Sequence, residues 1–587
     1  MLFDSRFPRF AIWFNGAIAR SALLVAAVIG VAAVVGLGTA CSGGEIPPPF
    51  TEAALGATSD DLPPLDGPER DAANLEIIVF TSPAPSLPGQ PRFGGTLRVA
   101  WTGPVIRLDP VTTSFFTIAS EYHSAAIGSH IFESLFRWNE DGKTEPVLVE
   151  DWSISSDGLS YTLNLREGLK FHDASPLTSE DVRMSLDRWK STGSTQAGIV
   201  RKFAASRWLQ TPDESTIIAT FQESLPSFID LLGQPYLTPY VMPRGQALRQ
   251  PRRTVNEIIG TGPYAEAGWK FGESVTVERY RDYAARPEPT SGYAGEQIAW
   301  IDKISWVEIN DPALQVAALQ AGTVDVIDGA DLSAYGNLQD DPAINVLLGR
   351  PGNRSVVYLN PAAAPFGDVR ARLAAQAAID VQTAMAGMGD PEMWATCAAV
   401  YWCDGPLDVR DGGELYGGDL ASAAGLLADS DYDGESVVVL GPADMGWTAP
   451  LVPAVADALR AAGFTVEEVS PGYQTFGGLI QSISNYSAIV GWYGHWGGGS
   501  PLTDPTISSS NRFVVEDDGL IELRNSYALE TSESERLAIV RQINRLRYEH
   551  ATTVLLGTFD HMLPTTNDLK GVGLFALPYY GNAWLER

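Results

Sequence analysis

The residues best equipped for chemistry cluster in one stretch, Ala488-Ile489-Val490-Gly491-Trp492-Tyr493-Gly494-His495-Trp496, followed by Gly497-Gly498-Gly499-Ser500-Pro501-Leu502-Thr503-Asp504-Pro505. An apolar strand-like run enters a glycine-rich loop that carries aromatic rings, a histidine and then a carboxylate. Such a set is suited to binding: aromatic faces bury an apolar or planar ligand while a few polar groups fix its orientation. Ligands of open α/β sheets sit beyond the carboxyl ends of strands, which makes Trp492, Tyr493, His495, Trp496 and Asp504 the leading candidates. Trp101 at the end of an opening strand, Tyr122 and His123 near the start of the next helix, and Tyr401 and Trp402 between two cysteines form a second rank. For each of them the competing reading is plain packing.

Catalytic patterns are missing. The chain has no Gly-x-Ser-x-Gly elbow and no His-Glu-x-x-His pair, and Gly260-Thr261-Gly262 lacks the third glycine of a dinucleotide loop and runs into Pro263, so it reads as a turn. The six histidines, His123, His130, His172, His495, His550 and His561, are scattered. Of these, His123 and His495 stand out as candidates for ligand contact. No catalytic residue, cofactor or metal site is expected.

The N-terminus supplies an address. Arg6, Arg9 and Arg20 precede an uncharged apolar run from Ser21 to Ala40, which ends at Gly38-Thr39-Ala40-Cys41-Ser42-Gly43-Gly44. A basic region and an apolar run form an export signal. The small residues before Cys41 resemble a lipoprotein box, with Leu37 four residues before the cysteine instead of three. Cys41 is thus the expected lipidation site, or else the apolar run stays uncut as an anchor, since 20 residues at about 1.5 Å each span a bilayer. Either way the remainder lies outside the cytoplasm, with the arginines inside. In that oxidising setting Cys397 and Cys403 are expected to form a short-loop disulfide, and no histidine lies near enough in sequence to suggest a metal site. The formal charge of −31 repels nucleic acid and anionic membrane surfaces.

The elements that must hold these residues are legible in outline. A Pro-, Gly-, Ala- and Asp-rich stretch from Cys41 to about residue 93 reads as a tether, within which Leu75 to Phe80 is apolar enough for a stray strand. The folded part opens with the strand Gly94 to Trp101. Asp157-Gly158 between two alternating runs predicts a hairpin with a half-buried face. Thr178 and Asp181 predict a capped helix carrying Val182, Leu186 and Trp189. Asp311-Pro312 opens a short helix that Gly322 closes before a strand at Val324 to Ile327. Val437 to Leu440, a helix ending at Gly463 and Phe464 to Val469 make a β-α-β unit and so a parallel sheet. Ser532 and Glu535 cap a further helix.

The wording of Glu145 to Arg188 is similar to that of the family 5 substrate-binding proteins of ABC transporters, the oligopeptide, dipeptide and nickel binders. The resemblance is carried by Pro146, Leu148, Trp152, Ser156-Asp157-Gly158, Leu165-Arg166, Phe171-His172-Asp173 and Thr178-Ser179-Glu180-Asp181-Val182, with Ala174 where the family usually has glycine. It runs on through Leu108-Asp109-Pro110, Gly260 to Tyr264, Asp311 to Asp325, Leu359-Asn360, Pro365 to Arg372 and Trp584-Leu585-Glu586. It implies an α/β fold of two hinged, periplasmic-binding-protein-like lobes (type II, cluster C) with an extra domain inserted in the first. Mapped here, 1–40 is the export signal, 41–93 the tether, 94–137, 258–350 and 556–587 the first lobe, 138–257 the inserted domain and 351–555 the second lobe. The implied role is a monomeric, non-enzymatic receptor anchored to the outer face of the cytoplasmic membrane, which closes on a peptide or peptide-like solute and hands it to an ABC permease. In peptide-binding relatives the loop reads Gly-Trp-x-x-Asp and its Asp holds the peptide ammonium. His495 stands at that position here, with Asp504 as a possible substitute. A nickel or metal-chelate receptor is the alternative, and a secreted hydrolase a remote one.

Overall fold

The computed structural model describes residues 91–587 apart from 106, 110–117, 249–257, 404, 414–415, 495–498, 508–517 and 576. Cys41, the run Leu75 to Phe80, nearly all of the expected tether, His495 and Trp496 therefore lie outside the described residues.

One large mixed sheet organises the chain. Along it the strands run Thr465–Val469, Ser436–Leu440, Ala488–Gly494, Ile344–Leu359, Thr553–Thr566, Val326–Ile327, Thr96–Trp101, Lys303–Glu308, Ser274–Arg279 and Tyr264–Lys270, and Trp394–Thr396 adds to the long strand 553–566. At one end Ser436–Leu440 is parallel to both of its neighbours, the β-α-β arrangement expected there, with the helix Leu451–Ala462 ending at Gly463 in the left-handed region at φ +107°. Toward the other end Thr96–Trp101 is parallel to Val326–Ile327 and to Lys303–Glu308. Between these sets run the two longest strands, paired antiparallel from Ile344 opposite Thr566 to Tyr358 opposite Thr553. Their register breaks between Gly349 and Asn353, opposite His561 and Phe559. A Cβ on Gly352 would come within 2.3 Å of the His561 backbone nitrogen, so that bulge accepts only glycine.

Local chemistry explains the ends of the elements. The Asp311 carboxylate accepts from the backbone N–H groups of Ala313 and Leu314 at the start of the helix Pro312–Gln320, and Gly322 takes φ +65° beyond it. The strand that follows is shorter than expected, Val326–Ile327, because the residues before it close the turn after the helix. At the helix Ser179–Lys190 Asp181 reaches back to accept from the Thr178 backbone N–H at 2.9 Å and from its hydroxyl at 2.6 Å. Such caps contribute about 1 kcal/mol each. The buried Arg188 of that helix pairs with the buried Asp109, fixing the segment after the opening strand.

The hairpin forms as expected, but its face does not. Ser160–Leu165 alternates, burying Tyr161, Leu163 and Leu165, whereas in Val149–Ile154 Trp152 is 40% and Ile154 51% exposed. The first strand lies at the edge of a separate four-stranded antiparallel sheet, while the helix Ser179–Lys190 packs on the inner strand Thr216–Phe221. The sequence pattern alone does not distinguish an edge strand from a covered one. Ala174 adopts φ +65°, a conformation that costs a residue with a Cβ about 1–2 kcal/mol and costs glycine nothing. This turn is the seat of the chain's departure from the family wording.

Candidate ligand-binding cavity

The carboxyl ends of the parallel strands converge on one small cavity. Thr102 follows the opening strand, Asp328 follows Val326–Ile327, Met445 and Trp447 follow Ser436–Leu440, and Trp492 lies near the end of Ala488–Gly494. The helix Ile118–Ile131 adds Tyr122 and His123, and the bulged long pair adds Asn353, Phe559, Asp560 and His561. The space enclosed is about 60 Å³. Its walls are aromatic: Trp447 meets Trp492 edge to face at 5.9 Å, and Trp101 stacks behind His123 at 4.1 Å.

Two side chains in this cavity converge on one carboxylate oxygen. Asp328 Oδ1 accepts from the Tyr122 hydroxyl at 2.8 Å and lies 3.0 Å from His561 Nε2, while Tyr122 and His561 are 3.3 Å apart. Burial, reinforced by the Asp328 charge, raises the Tyr122 phenol well above its ordinary pKa, so it stays a neutral donor. Burial lowers His123 to about 4, against a smaller opposing pull from Asp328, and its ring is neutral at physiological pH.

The expected site residues divide between two places. Trp492, Tyr122 and His123 line the cavity, and Trp101 backs it without lining it. Tyr493, Tyr401, Trp402 and Asp504 belong instead to a second buried cluster. Successive side chains of a strand point to opposite faces, so while Trp492 meets Trp447, Tyr493 meets Trp402 at 6.5 Å. There the buried Arg354 donates to the carbonyls of Ala399 and Tyr401 and lies over the Trp402 ring, clamping the 397–403 loop that the Cys397–Cys403 disulfide closes. Asp504 accepts from Tyr401 at 3.2 Å, from Arg547 at 3.0 Å and from the Thr506 backbone at 2.7 Å. It is absent from the cavity lining, and its carboxylate is fully engaged in holding these elements together.

Sequence reasoning passed over Asp328, Trp447 and His561. The signal for Asp328 was available, since it directly follows a strand that feeds a parallel sheet. The other two had none, for they lie on a connecting loop and in the middle of a long strand. His172, from the family wording, is structural: it accepts from the Gly260 N–H at 3.2 Å and contacts the Gly262 carbonyl at 3.0 Å, tying down a glycine turn. His130 is likewise buried, held between the Ala126 carbonyl and the Tyr580 N–H. Among the described residues no group of three His, Cys, Asp or Glu side chains is placed to hold a metal ion, and no helix is long and apolar enough to cross a membrane.

Residues 143–513 match the family model described as bacterial extracellular solute-binding proteins, family 5 Middle. A probable peptide ABC transporter periplasmic-binding protein of Sinorhizobium fredii is 27% identical over 469 residues, 76% of this chain and 86% of the relative. Among solved structures, the dipeptide binding protein of Pseudoalteromonas sp. SM9913 in complex with Met-Leu superposes with a TM-score of 0.72 at 16% identity, covering 84% of this chain and all of that one. The binding protein AgaA from A. tumefaciens R10, in complex with agropinic acid, gives 0.69 at 21% identity over 81% of this chain and 94% of that one. At these identities the structures establish the fold, a two-lobed α/β architecture of the periplasmic binding proteins.

Proposed function

Because the chain belongs to the bacterial extracellular solute-binding proteins of family 5, we propose that it is the non-enzymatic receptor of an ABC importer, moored outside the cytoplasmic membrane through Cys41, which captures a peptide or peptide-like solute and delivers it to the permease. The carrying observation is the cavity itself. It draws walls from the strand ends on both sides of the long central pair and mixes aromatic faces with a few converging polar groups. The chain's relatives and structural neighbours, named for a peptide, a dipeptide and agropinic acid, support a small organic solute of this kind.

The size of the cavity supports a reading in which its walls open and close. A space of about 60 Å³ is far below the roughly 300–1,000 Å³ of small-molecule sites. A dipeptide enters only when the walls part. The strands Ile344–Leu359 and Thr553–Thr566 connect the two sides, and their register break at Gly349–Asn353, level with cavity residues Asn353 and His561, is the natural hinge.

A thermal-shift screen of dipeptides, longer peptides, opines, sugars and nickel–histidine complexes tests the reading. A receptor is stabilised by its ligand and leaves it chemically unchanged, because a molecule that binds only the native state raises apparent stability. Trp492→Ala is expected to weaken the hit at least tenfold. It also lowers the unliganded melting point, since Trp492 is buried against Trp447. Recovery of a chemically altered ligand, or no stabilisation by any compound, defeats the proposal.

A further inference from the structure

A carboxylate taken out of water needs a cation or a full set of hydrogen bonds. Two carboxylates line the cavity, and they differ. Asp560 is held by Arg350, whose Nε donates at 2.6 Å. Asp328, with its side chain 1% exposed, uses Oδ1 alone, and Oδ2 is buried with no hydrogen-bond partner. Among the described residues no Lys or Arg pairs with Asp328, and its one ion-pair contact is His561.

Asp328 is not the only unsatisfied group there. The indole N–H of Trp447 and Nδ1 of His123, both on cavity residues, are also buried without partners. Native interiors leave few such atoms unsatisfied. An acceptor carrying negative charge and an indole donor in one cavity call for a molecule with a cationic donor and an acceptor oxygen. The rings of Trp447, Trp492 and Tyr122 suit the same cation, since aromatic faces attract positive charge.

We propose that Asp328 is the counter-charge for a primary ammonium group of the solute, and that the Trp447 N–H donates to a carbonyl or carboxylate oxygen of the same molecule. The solutes carried are therefore amine-bearing. This rests on the receptor reading above and adds to it a charge requirement and two specificity-determining residues.

The test pairs amine-bearing dipeptides, Met-Leu among them, with their N-acetylated forms and with neutral sugars, titrated calorimetrically into the purified wild-type chain and into Asp328→Asn and Trp447→Phe. The expected result is binding of free-amine dipeptides to wild type and loss of on the order of 100-fold on N-acetylation, the scale for removing one partner of a buried charge pair. Asp328→Asn is expected to lose a similar factor for the free amine and to bind the N-acetyl form as wild type does. Trp447→Phe, which keeps the ring and removes the donor, should lose about tenfold for both forms. Circular dichroism and an unliganded melting point no lower than wild type show that Asp328→Asn is folded. Equal binding of free and acetylated forms, undiminished binding by folded Asp328→Asn, or binding of sugars alone overturns the ammonium assignment and leaves the receptor standing. Failure of every solute to bind wild type overturns both.

Discussion

Asp504 and Asp328 are both buried at the ends of connections out of the same large sheet, yet Asp504 has Arg547, Tyr401 and Thr506 on its carboxylate while Asp328 has a polar partner on one oxygen and none on the other. The two lie on either side of the division made by Ala488–Gly494, where Trp492 faces the cavity and Tyr493 the second cluster. Satisfied burial is what a structural ion pair needs, because the mutual attraction must offset the desolvation of both groups. Unsatisfied burial is tolerated where a ligand completes the set. Burial and charge do not by themselves mark a binding residue; what sets Asp328 apart is an unpartnered carboxylate oxygen on a residue of the cavity wall.

Removing the fully partnered acid, Asp504, should have the largest effect. Asp504→Asn leaves Arg547 buried with no carboxylate, and its Nε and Nη1 already have no hydrogen-bond partner. The expected cost is about 3–5 kcal/mol in urea denaturation, with ligand affinity of the folded fraction unchanged. Asp328→Asn should show the reverse pattern. If the two variants behave alike, the distinction between the clusters fails.

Acid should also act through two buried histidines, His123 on the cavity and His130 beside Tyr580. His123 is held near 4 and His130 near 3 by burial, both below the ordinary value of 6.5. The unfolded chain takes up these protons as pH drops below 6.5 and the folded chain does not. Stability is thus fully present above pH 6.5 and is lost progressively as pH falls toward 4 and then 3, with His123 accounting for about 3 kcal/mol at 1.36 kcal/mol per pH unit. Chemical denaturation across pH 7 to 4 should show this slope, and His123→Phe should reduce it by about half, leaving the part due to His130.

A smaller effect separates closure from stability. A Cβ on Gly446 would lie 1.7 Å from Asp331 Oδ2, and the other oxygen of that carboxylate is engaged by the backbone N–H and hydroxyl of Ser333. Gly446→Ala is expected to displace the Asp331 side chain, hold the cavity rim apart and weaken ligand binding about tenfold, or 1.4 kcal/mol, while the unliganded melting point falls by no more than the loss of one cap, about 1 kcal/mol. The smallest change is Tyr401→Phe, which removes one hydrogen bond to Asp504 and should cost about 1 kcal/mol of stability, with no effect on binding.

Much of the framework was readable from local rules. The capped helices at Ser179, Pro312 and Glu533, the Asp157-Gly158 hairpin and the parallel unit around Leu451–Ala462 follow from side chains a few residues apart. The site was readable only in part. The glycine-rich stretch pointed to Trp492, but adjacency in sequence drew in Tyr493 and Asp504, which the strand's alternation and a distant helix assign to the other cluster. The position of Asp328 directly after a strand was legible, but not its partners, since Tyr122 and His561 lie 206 and 233 residues away.

Local chemistry was enough to read where helices start and stop, where the hairpin turns and the one parallel unit around Leu451–Ala462, because capping, turn conformation and periodicity are set by near neighbours. Only the tertiary structure decided which aspartate is complete and which is left open, which face of a strand meets the cavity and which strand of a hairpin is covered. Desolvation and ion pairing depend on everything packed around a group, and what surrounds Asp328 comes from segments that meet only when the chain has folded.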